Sequence, residues 1–121
     1  DRVKFAQESN TNIFVSIHLN KFTTSTANGA QVFYTKNYDQ AYDLANCVQS
    51  SIKTLIQPEN TRVVKQGSSS TYLLKNAPVP AVIVECGFLS NKQELEKLKD
   101  IDYQSQMALA IAVGIIDFYE N

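Results

Sequence analysis

Two residues of this 121-residue chain could do chemistry, because each ends an apolar run that reads as a buried strand. His18 lies near the end of Asn12–Leu19, NIFVSIHL, and Glu85 directly follows Ala81–Val84, AVIV. A carboxylate in such a strand must be paired, neutralised or bound to a ligand. If the strands are parallel, both side chains reach the sheet edge where open α/β sheets place reactive groups. A neutral imidazole suits zinc, and a carboxylate beside a metal-bound water is a general base for hydrolysis.

Other interpretations of these residues remain open. A single histidine after an apolar strand is also typical of a structural or surface residue. Cys86 offers a different chemistry, a cysteine nucleophile activated by His18 as the base. Because successive strand residues point to opposite faces, Glu85 and Cys86 cannot share one cleft unless the strand has already ended. Glu85 has the stronger claim to the cleft, so we expect Cys86 in the core.

The hydrophobic pattern predicts alternating strands and helices that would position these residues. The last strand should end at Gly87, and Asn91 with Glu94 forms a capping-box pattern for the next helix. Strands interleaved with helices predict an α/β fold, a three-layer sheet with helices on both faces and mostly parallel or mixed strands. Helices are predicted at residues 1–9, Tyr38–Gln57, Asn91–Leu98 and from Asp102 onward, and further strands at Ala30–Thr35, Arg62–Lys65 and Tyr72–Lys75.

Composition and charge limit the functional classes. Eleven basic and twelve acidic residues give a net charge of -1, so nothing indicates binding to nucleic acid or to an anionic membrane. The apolar C-terminal segment contains Gln104, Gln106 and Asp117, which make it too polar for a bilayer span and predict a soluble domain. The chain starts at Asp1 inside a helical pattern, without a signal peptide, so we expect a piece of a longer protein.

Three motifs carry a resemblance to a known family. SIHLN (Ser16–Asn20), GAQVFY (Gly29–Tyr34) and PAVIVECGFLSN (Pro80–Asn91) resemble the zinc-dependent N-acetylmuramoyl-L-alanine amidases of bacterial cell-wall turnover. Within them, GAQ and ECGFLSN are similar to the spore-cortex amidases of the CwlD type. The resemblance covers residues 1–121 as the C-terminal part of one catalytic domain. It implies that His18 ligates zinc and that Glu85 is the catalytic carboxylate.

The resemblance also implies a substrate and a location. Such an enzyme hydrolyses the amide bond between N-acetylmuramic acid and the L-alanine of the stem peptide, here in spore cortex maturation. It would act outside the cytoplasm, in the cell wall or the forespore intermembrane space, on glycan strands that carry stem peptides. Asn20, Gly87, Phe88 and Leu89 would line the cleft. Lys65, together with the Gly67–Ser70 loop, would contact the peptide.

The chain departs from the family pattern upstream. The family's other two zinc ligands, a histidine in a DPGHGG-like motif and a glutamate on the following helix, have no counterpart here. Catalytic zinc takes three protein ligands, so we expect this segment alone to bind zinc weakly and to be inactive. We also expect the sheet to lack its first strands and a helix, which exposes an edge for self-association or an accessory protein. The alternative is an incomplete fragment or pseudoenzyme that binds peptidoglycan or a protein partner.

Overall fold

The computed structural model describes residues 2–8, 12–20, 27–67 and 75–121. Most of the predicted strand Tyr72–Lys75, the Ser68–Ser70 part of the predicted loop, and the side chain of Asn20 lie outside this description. The described elements are, in chain order, α1 (Arg2–Glu8), β1 (Phe14–Asn20), β2 (Gln31–Tyr34), α2 (Asp39–Leu55), β3 (Lys65–Gln66), β4 (Ala81–Phe88), α3 (Lys92–Lys99) and α4 (Ile101–Glu120).

The described strands form one mixed sheet in the order β1-β4-β2-β3. β1 runs parallel to β4, β2 runs antiparallel to β4, and β3 runs parallel to β2. Every residue of β4 except Glu85 is buried, as expected for a central strand covered on both faces. The mixed sheet with helices around it confirms the predicted α/β class.

The two faces of the sheet are covered by different helices. On one face, Val82, Val84 and Cys86 of β4 belong to the main hydrophobic core, which buried residues of α2 and α4 complete. On the other face, Ala81 and Ile83 pack with Val3 of α1. Successive residues of β4 therefore alternate between two cores, which gives the predicted three layers.

Helices α2 and α4 lie unusually close together at Gly114. A Cβ atom at this position would lie 2.6 Å from the Cα atom of Val48, which is too short for any side chain. The buried hydroxyl of Ser51 donates a hydrogen bond to the carbonyl of Ala110 at 2.6 Å across the same interface.

No helix in the described part of the chain combines the length and apolar character needed to cross a membrane.

The prediction that Gly87 ends the last strand was wrong. β4 continues through Gly87 to Phe88, because the register with β1 shifts near the glycine and the strand does not end there. His18 pairs with Glu85 but Asn20 pairs with Phe88, so β4 has one more residue than β1 between these positions, as in a β-bulge. Phe88 consequently stands opposite Asn20 on the sheet.

Two further element boundaries differ from prediction. A strand was expected at Arg62–Lys65, and the observed strand is Lys65–Gln66. Before Lys65, side chains take the backbone groups that would pair with a neighbouring strand. The N–H of Arg62 donates to Asn60 Oδ1, and Gln31 Nε2 donates to the carbonyl of Val63. The last helix begins at Ile101 because the Asp100 side chain caps it by accepting from the N–H of Asp102 at 3.0 Å.

Candidate active site

His18 and Glu85 lie directly opposite each other on neighbouring strands. They are register partners in the parallel pair formed by β1 and β4. Paired residues on adjacent strands present their side chains on the same face of the sheet. The sequence prediction that parallel strands would bring these two residues to one edge is therefore confirmed.

Glu85 holds its carboxylate in a poorly solvated position. The side chain is half-buried, and its Oε2 atom is buried without a hydrogen-bond partner among the described residues. Burial raises the pKa of this carboxyl group, and the nearby His18 opposes the shift. A carboxylate that is partly desolvated and has an unsatisfied oxygen is well suited to accept a proton.

The imidazole of His18 is oriented by a short chain of hydrogen bonds. Its Nε2 atom lies 2.7 Å from the hydroxyl of Ser16, two residues earlier on the same face of β1. Arg2 Nη1 donates to that hydroxyl at 3.0 Å, which links α1 to the strand. Because the hydrogen bond engages Nε2, it fixes the ring and leaves Nδ1 as the nitrogen for a ligand.

A second polar group borders Glu85 on the side of β2. Gln31 is the register partner of Glu85 across the antiparallel pair. Its Oε1 atom accepts from Arg62 Nη1 at 3.1 Å, and the Arg62 guanidinium lies 4.8 Å from the centre of the Phe88 ring. The site thus has His18 on one side of Glu85 and a glutamine connected to an arginine on the other.

Another carboxylate, Glu94, fixes the backbone beyond the site. Its Oε1 atom accepts from the backbone N–H of Gly29 at 3.0 Å and from that of Phe88 at 3.2 Å. Gly87 permits this approach, since a Cβ atom there would lie 3.1 Å from the same oxygen. Glu94 therefore connects the turn before β2 to the end of β4.

The predicted capping box is half present. Asn91 caps α3, because its side chain accepts from the N–H groups of Gln93 and Glu94 at 3.0 and 3.2 Å. The reciprocal contact is replaced: the N–H of Asn91 donates to the carbonyl of Phe88 at 3.1 Å, while the Glu94 carboxylate bonds elsewhere. The capping residue was predicted correctly, and the role of the glutamate was not.

The residues predicted to bind substrate do not all meet at Glu85. Phe88 is buried with its ring beneath Arg62, and Asn20 is its register partner. Gly87 faces Glu94 and Leu98 of α3. These placements put Phe88 and Asn20 beyond the His18–Glu85 pair along the same two strands.

The other two predicted substrate residues lie further away. Leu89 packs against the main hydrophobic core. Lys65 is exposed and pairs with Phe33, which in turn pairs with Ile83, so it lies two strands and two register positions from Glu85. Neither residue joins the group around Glu85.

Cys86 lies on the opposite face from Glu85, as the strand alternation predicts. It belongs to the main hydrophobic core, and burial together with the charge of Glu85 raises the pKa of its thiol to about 12. A thiol of this kind remains protonated at neutral pH and cannot act as a nucleophile. The geometry therefore disfavours the cysteine hydrolase.

The described residues near Glu85 do not complete a zinc site by themselves. No group of three or more His, Cys, Asp or Glu side chains that could hold a metal occurs among the described residues. Catalytic zinc normally takes three protein ligands and one water. His18 supplies one imidazole, so the donor set in this part of the chain is too small.

Several site residues were missed from the sequence. Ser16 could have been found, because it lies two residues before His18 and therefore on the same strand face. Gln31 and Arg62 carry no comparable signal, since their positions depend on the register of β2 with β4 and on the loop before β3. The contact of Glu94 with Gly29 joins residues 65 positions apart.

Solved structures resemble this fold closely. The CwlD amidase of Clostridioides difficile, determined in complex with the GerS lipoprotein, is 42% identical and superposes with a TM-score of 0.93, covering 98% of this chain and 60% of that one. The N-acetylmuramoyl-L-alanine amidase AmiC2 of Nostoc punctiforme is 33% identical with a TM-score of 0.88, covering 99% and 64% of the two chains.

Sequence relatives give the same result. The germination-specific N-acetylmuramoyl-L-alanine amidase of Bacillus subtilis is 32% identical over 98% of this chain and 49% of its own length. The chain thus spans about half the length of this relative. The family profile N-acetylmuramoyl-L-alanine amidase (Amidase_3) matches residues 1–117. Because this match covers nearly the whole chain, the protein belongs to the Amidase_3 family of N-acetylmuramoyl-L-alanine amidases.

Proposed function

We propose that this chain forms part of a peptidoglycan amidase that hydrolyses the bond between N-acetylmuramic acid and the L-alanine of the stem peptide. The observation that carries the proposal is the Glu85 carboxylate, which is partly buried, has one oxygen without a hydrogen-bond partner among the described residues and stands opposite His18. Family membership supports the reaction class.

In this proposal Glu85 moves a proton. Its carboxylate accepts a proton from the water that attacks the lactyl carbonyl carbon. It then delivers that proton to the L-alanine nitrogen as the carbon–nitrogen bond breaks, which releases the peptide with a free amino group and leaves a carboxylate on the sugar. A raised pKa makes the carboxylate a stronger base for the first of these two transfers.

The proposal includes zinc only where further residues complete its ligand set. His18, with its ring fixed by Ser16, would contribute one imidazole ligand. The remaining ligands would come from residues outside the described part of this chain. We therefore assign no reaction step to the metal.

The biological setting is part of the same proposal. One relative is named a germination-specific amidase, and a structural neighbour is the CwlD amidase. These similarities support a role in spore cortex maturation and a location outside the cytoplasm. Because CwlD was determined in complex with a lipoprotein, we include an accessory protein among the possible partners.

The exposed edge of the sheet supports the proposed self-association. β1 is the terminal strand of the described sheet, and its Ile17 and Leu19 side chains are 57% and 51% exposed. They line an apolar groove of about 180 Å³ beside α4. An Ile17→Lys variant should shift the chain toward monomer in sedimentation experiments if this edge pairs with another copy. An unchanged distribution would rule that pairing out.

An incomplete, non-catalytic peptidoglycan-binding protein is the alternative function. The observation that favours it is the small metal donor set. It predicts that the natural protein binds peptidoglycan and releases no peptide.

Product analysis separates these functions. The full natural protein, supplied with zinc, is incubated with purified peptidoglycan, and soluble products are analysed by mass spectrometry. We expect peptides with new N-terminal L-alanine amines and intact glycan strands, and we expect a chelator to stop their release. Cleaved glycosidic bonds, or binding without product, would contradict the amidase proposal.

A further inference from the structure

We propose that Arg62 binds a carboxylate of the stem peptide and so selects peptides that carry a free acid near the cleaved bond. This inference rests on the proposed amidase function. It assigns a substrate-selecting role to a residue outside the His18–Glu85 pair.

The Arg62 guanidinium is held in one orientation by several contacts. Its Nε donates to the carbonyl of Asn28 at 2.7 Å, and its Nη1 donates to Gln31 Oε1 at 3.1 Å. The group lies 4.8 Å from the centre of the Phe88 ring, and the Arg62 backbone N–H is fixed by Asn60 Oδ1 at 2.8 Å. Such contacts reduce the entropy that the side chain would lose on binding a ligand.

The positive charge of Arg62 has no protein counterion in the described part of the chain. Its contacts are a carbonyl, an amide oxygen and an aromatic ring. A guanidinium has five N–H donors, and these contacts use two of them. The half-buried group therefore keeps donors in the planar arrangement that suits a carboxylate.

Arg62 also lies close enough to Glu85 to contact a peptide that is bound there. Gln31, its hydrogen-bond partner, is the register partner of Glu85, and Phe88, beneath it, follows Glu85 by three residues on β4. Because the bulge sets these three residues of β4 beside two residues of β1, they span about 7 Å. An extended peptide covers the same distance in about two residues. The acid that Arg62 selects would thus lie within the first few residues of the leaving peptide.

A comparison of two substrates tests the inference. The full natural protein is given muramoyl peptides that differ only in whether the acid near the cleaved bond is free or amidated. Wild-type protein should favour the free acid by about tenfold or more in kcat/KM, mainly through KM, because charge-assisted bonds to arginine are strong. Arg62→Gln should remove this preference, because KM should rise by about tenfold more for the free acid than for the amidated peptide. Arg62→Lys should keep part of it.

Lys36→Gln is the matched control for the loss of one positive charge. Lys36 is exposed and follows β2 at the opposite end of the sheet from Gln31, so this variant should retain the wild-type preference. If Arg62→Gln lowers cleavage of both peptides equally, Arg62 only supports the loop and the inference is overturned. A wild-type protein without any preference overturns it too.

Binding measurements separate this inference from the proposed function. Calorimetry in a Glu85→Gln background measures affinity for both peptides without cleavage, with and without Arg62→Gln. A preference for the free acid that disappears with Arg62 supports the inference even if the wild-type protein cuts neither peptide, in which case the amidase function fails alone. Equal affinities with Arg62 intact overturn the inference whatever the hydrolysis result.

Discussion

Glu85 and Glu94 are two carboxylates at the same end of β4 with opposite environments. The Oε1 atom of Glu94 accepts hydrogen bonds from two backbone N–H groups, and the residue is only 8% exposed. Glu85 is less buried, yet its Oε2 atom has no hydrogen-bond partner within the described residues. The more buried acid is thus the better satisfied one.

The difference separates a structural acid from a reactive one. The backbone N–H groups of Gly29 and Phe88 both donate to the Glu94 carboxylate, which thereby holds the Gly29 turn against Phe88. Among the described residues no N–H group donates to Oε2 of Glu85; burial raises the pKa of this carboxyl group, and the charge of His18 opposes the shift. A partly buried carboxylate with an unsatisfied oxygen costs stability, which favours a functional explanation for Glu85.

The largest expected effect comes from Glu85→Gln. Removing the proton acceptor should lower hydrolysis of peptidoglycan by the full natural protein by about 10²- to 10⁴-fold, the usual contribution of general base catalysis. The fold should survive, because glutamine has nearly the same shape. Steady-state rates with the far-ultraviolet circular dichroism spectrum as a control give the answer. A loss of less than tenfold would remove Glu85 from the mechanism.

Glu94→Gln should have a smaller effect, and on a different property. The amide keeps an acceptor oxygen but loses the charge that strengthens the bonds to the N–H groups of Gly29 and Phe88. We expect the free energy of unfolding to fall by about 1–3 kcal/mol in urea titrations. Glu85→Gln is the matched control, since it should not lower stability at neutral pH. If both variants unfold at the same urea concentration, the contrast between the two acids is wrong.

The smallest effect should come from Cys86→Ala. Its thiol faces the core, and a pKa of about 12 leaves about one molecule in ten thousand as thiolate at pH 8. Hydrolysis should therefore stay within about twofold of wild type. Iodoacetamide should leave Cys86 unmodified in the native protein and modify it after unfolding, as peptide mass spectrometry can detect. Rapid native alkylation together with loss of activity would revive the cysteine nucleophile.

Much of this contrast could be predicted from the sequence, and part of it could not. The apolar runs before His18 and Glu85 predict two strands, and alternation assigns Cys86 to the core, because these features depend on local periodicity. Local periodicity does not determine which strands pair. The parallel pairing of β1 with β4, which places His18 opposite Glu85, was a condition of the prediction and is seen only in the structure.

The partners of Glu94 and Arg62 are set by contacts between distant parts of the chain. A capping-box pattern places the Glu94 carboxylate at its own helix, but the bulge at Gly87 opens space for it to reach Gly29. The local pattern predicts a strand at Arg62. It cannot show that the Gln31 side chain bonds to the Val63 carbonyl and to the Arg62 guanidinium, in place of the hydrogen bonds that a neighbouring strand would make. Tertiary contacts overrode local propensity in both cases.

The central claim is that burial of the Glu85 carboxyl group outweighs its attraction to His18 and raises its pKa. Carbon-13 NMR titration of glutamate side chains in the metal-free protein tests this claim, with Glu85→Gln used to assign the signal. We expect the Glu85 midpoint above the ordinary glutamate pKa of about 4.3. With a raised pKa, the folded state binds the proton more tightly than the unfolded chain does, so Glu85 should favour folding most below the unfolded pKa and lose that contribution as pH rises through the folded pKa. The stability of Glu85→Gln relative to wild type should rise over the same pH interval. A midpoint at or below that of an ordinary glutamate, with no such rise, would contradict the account.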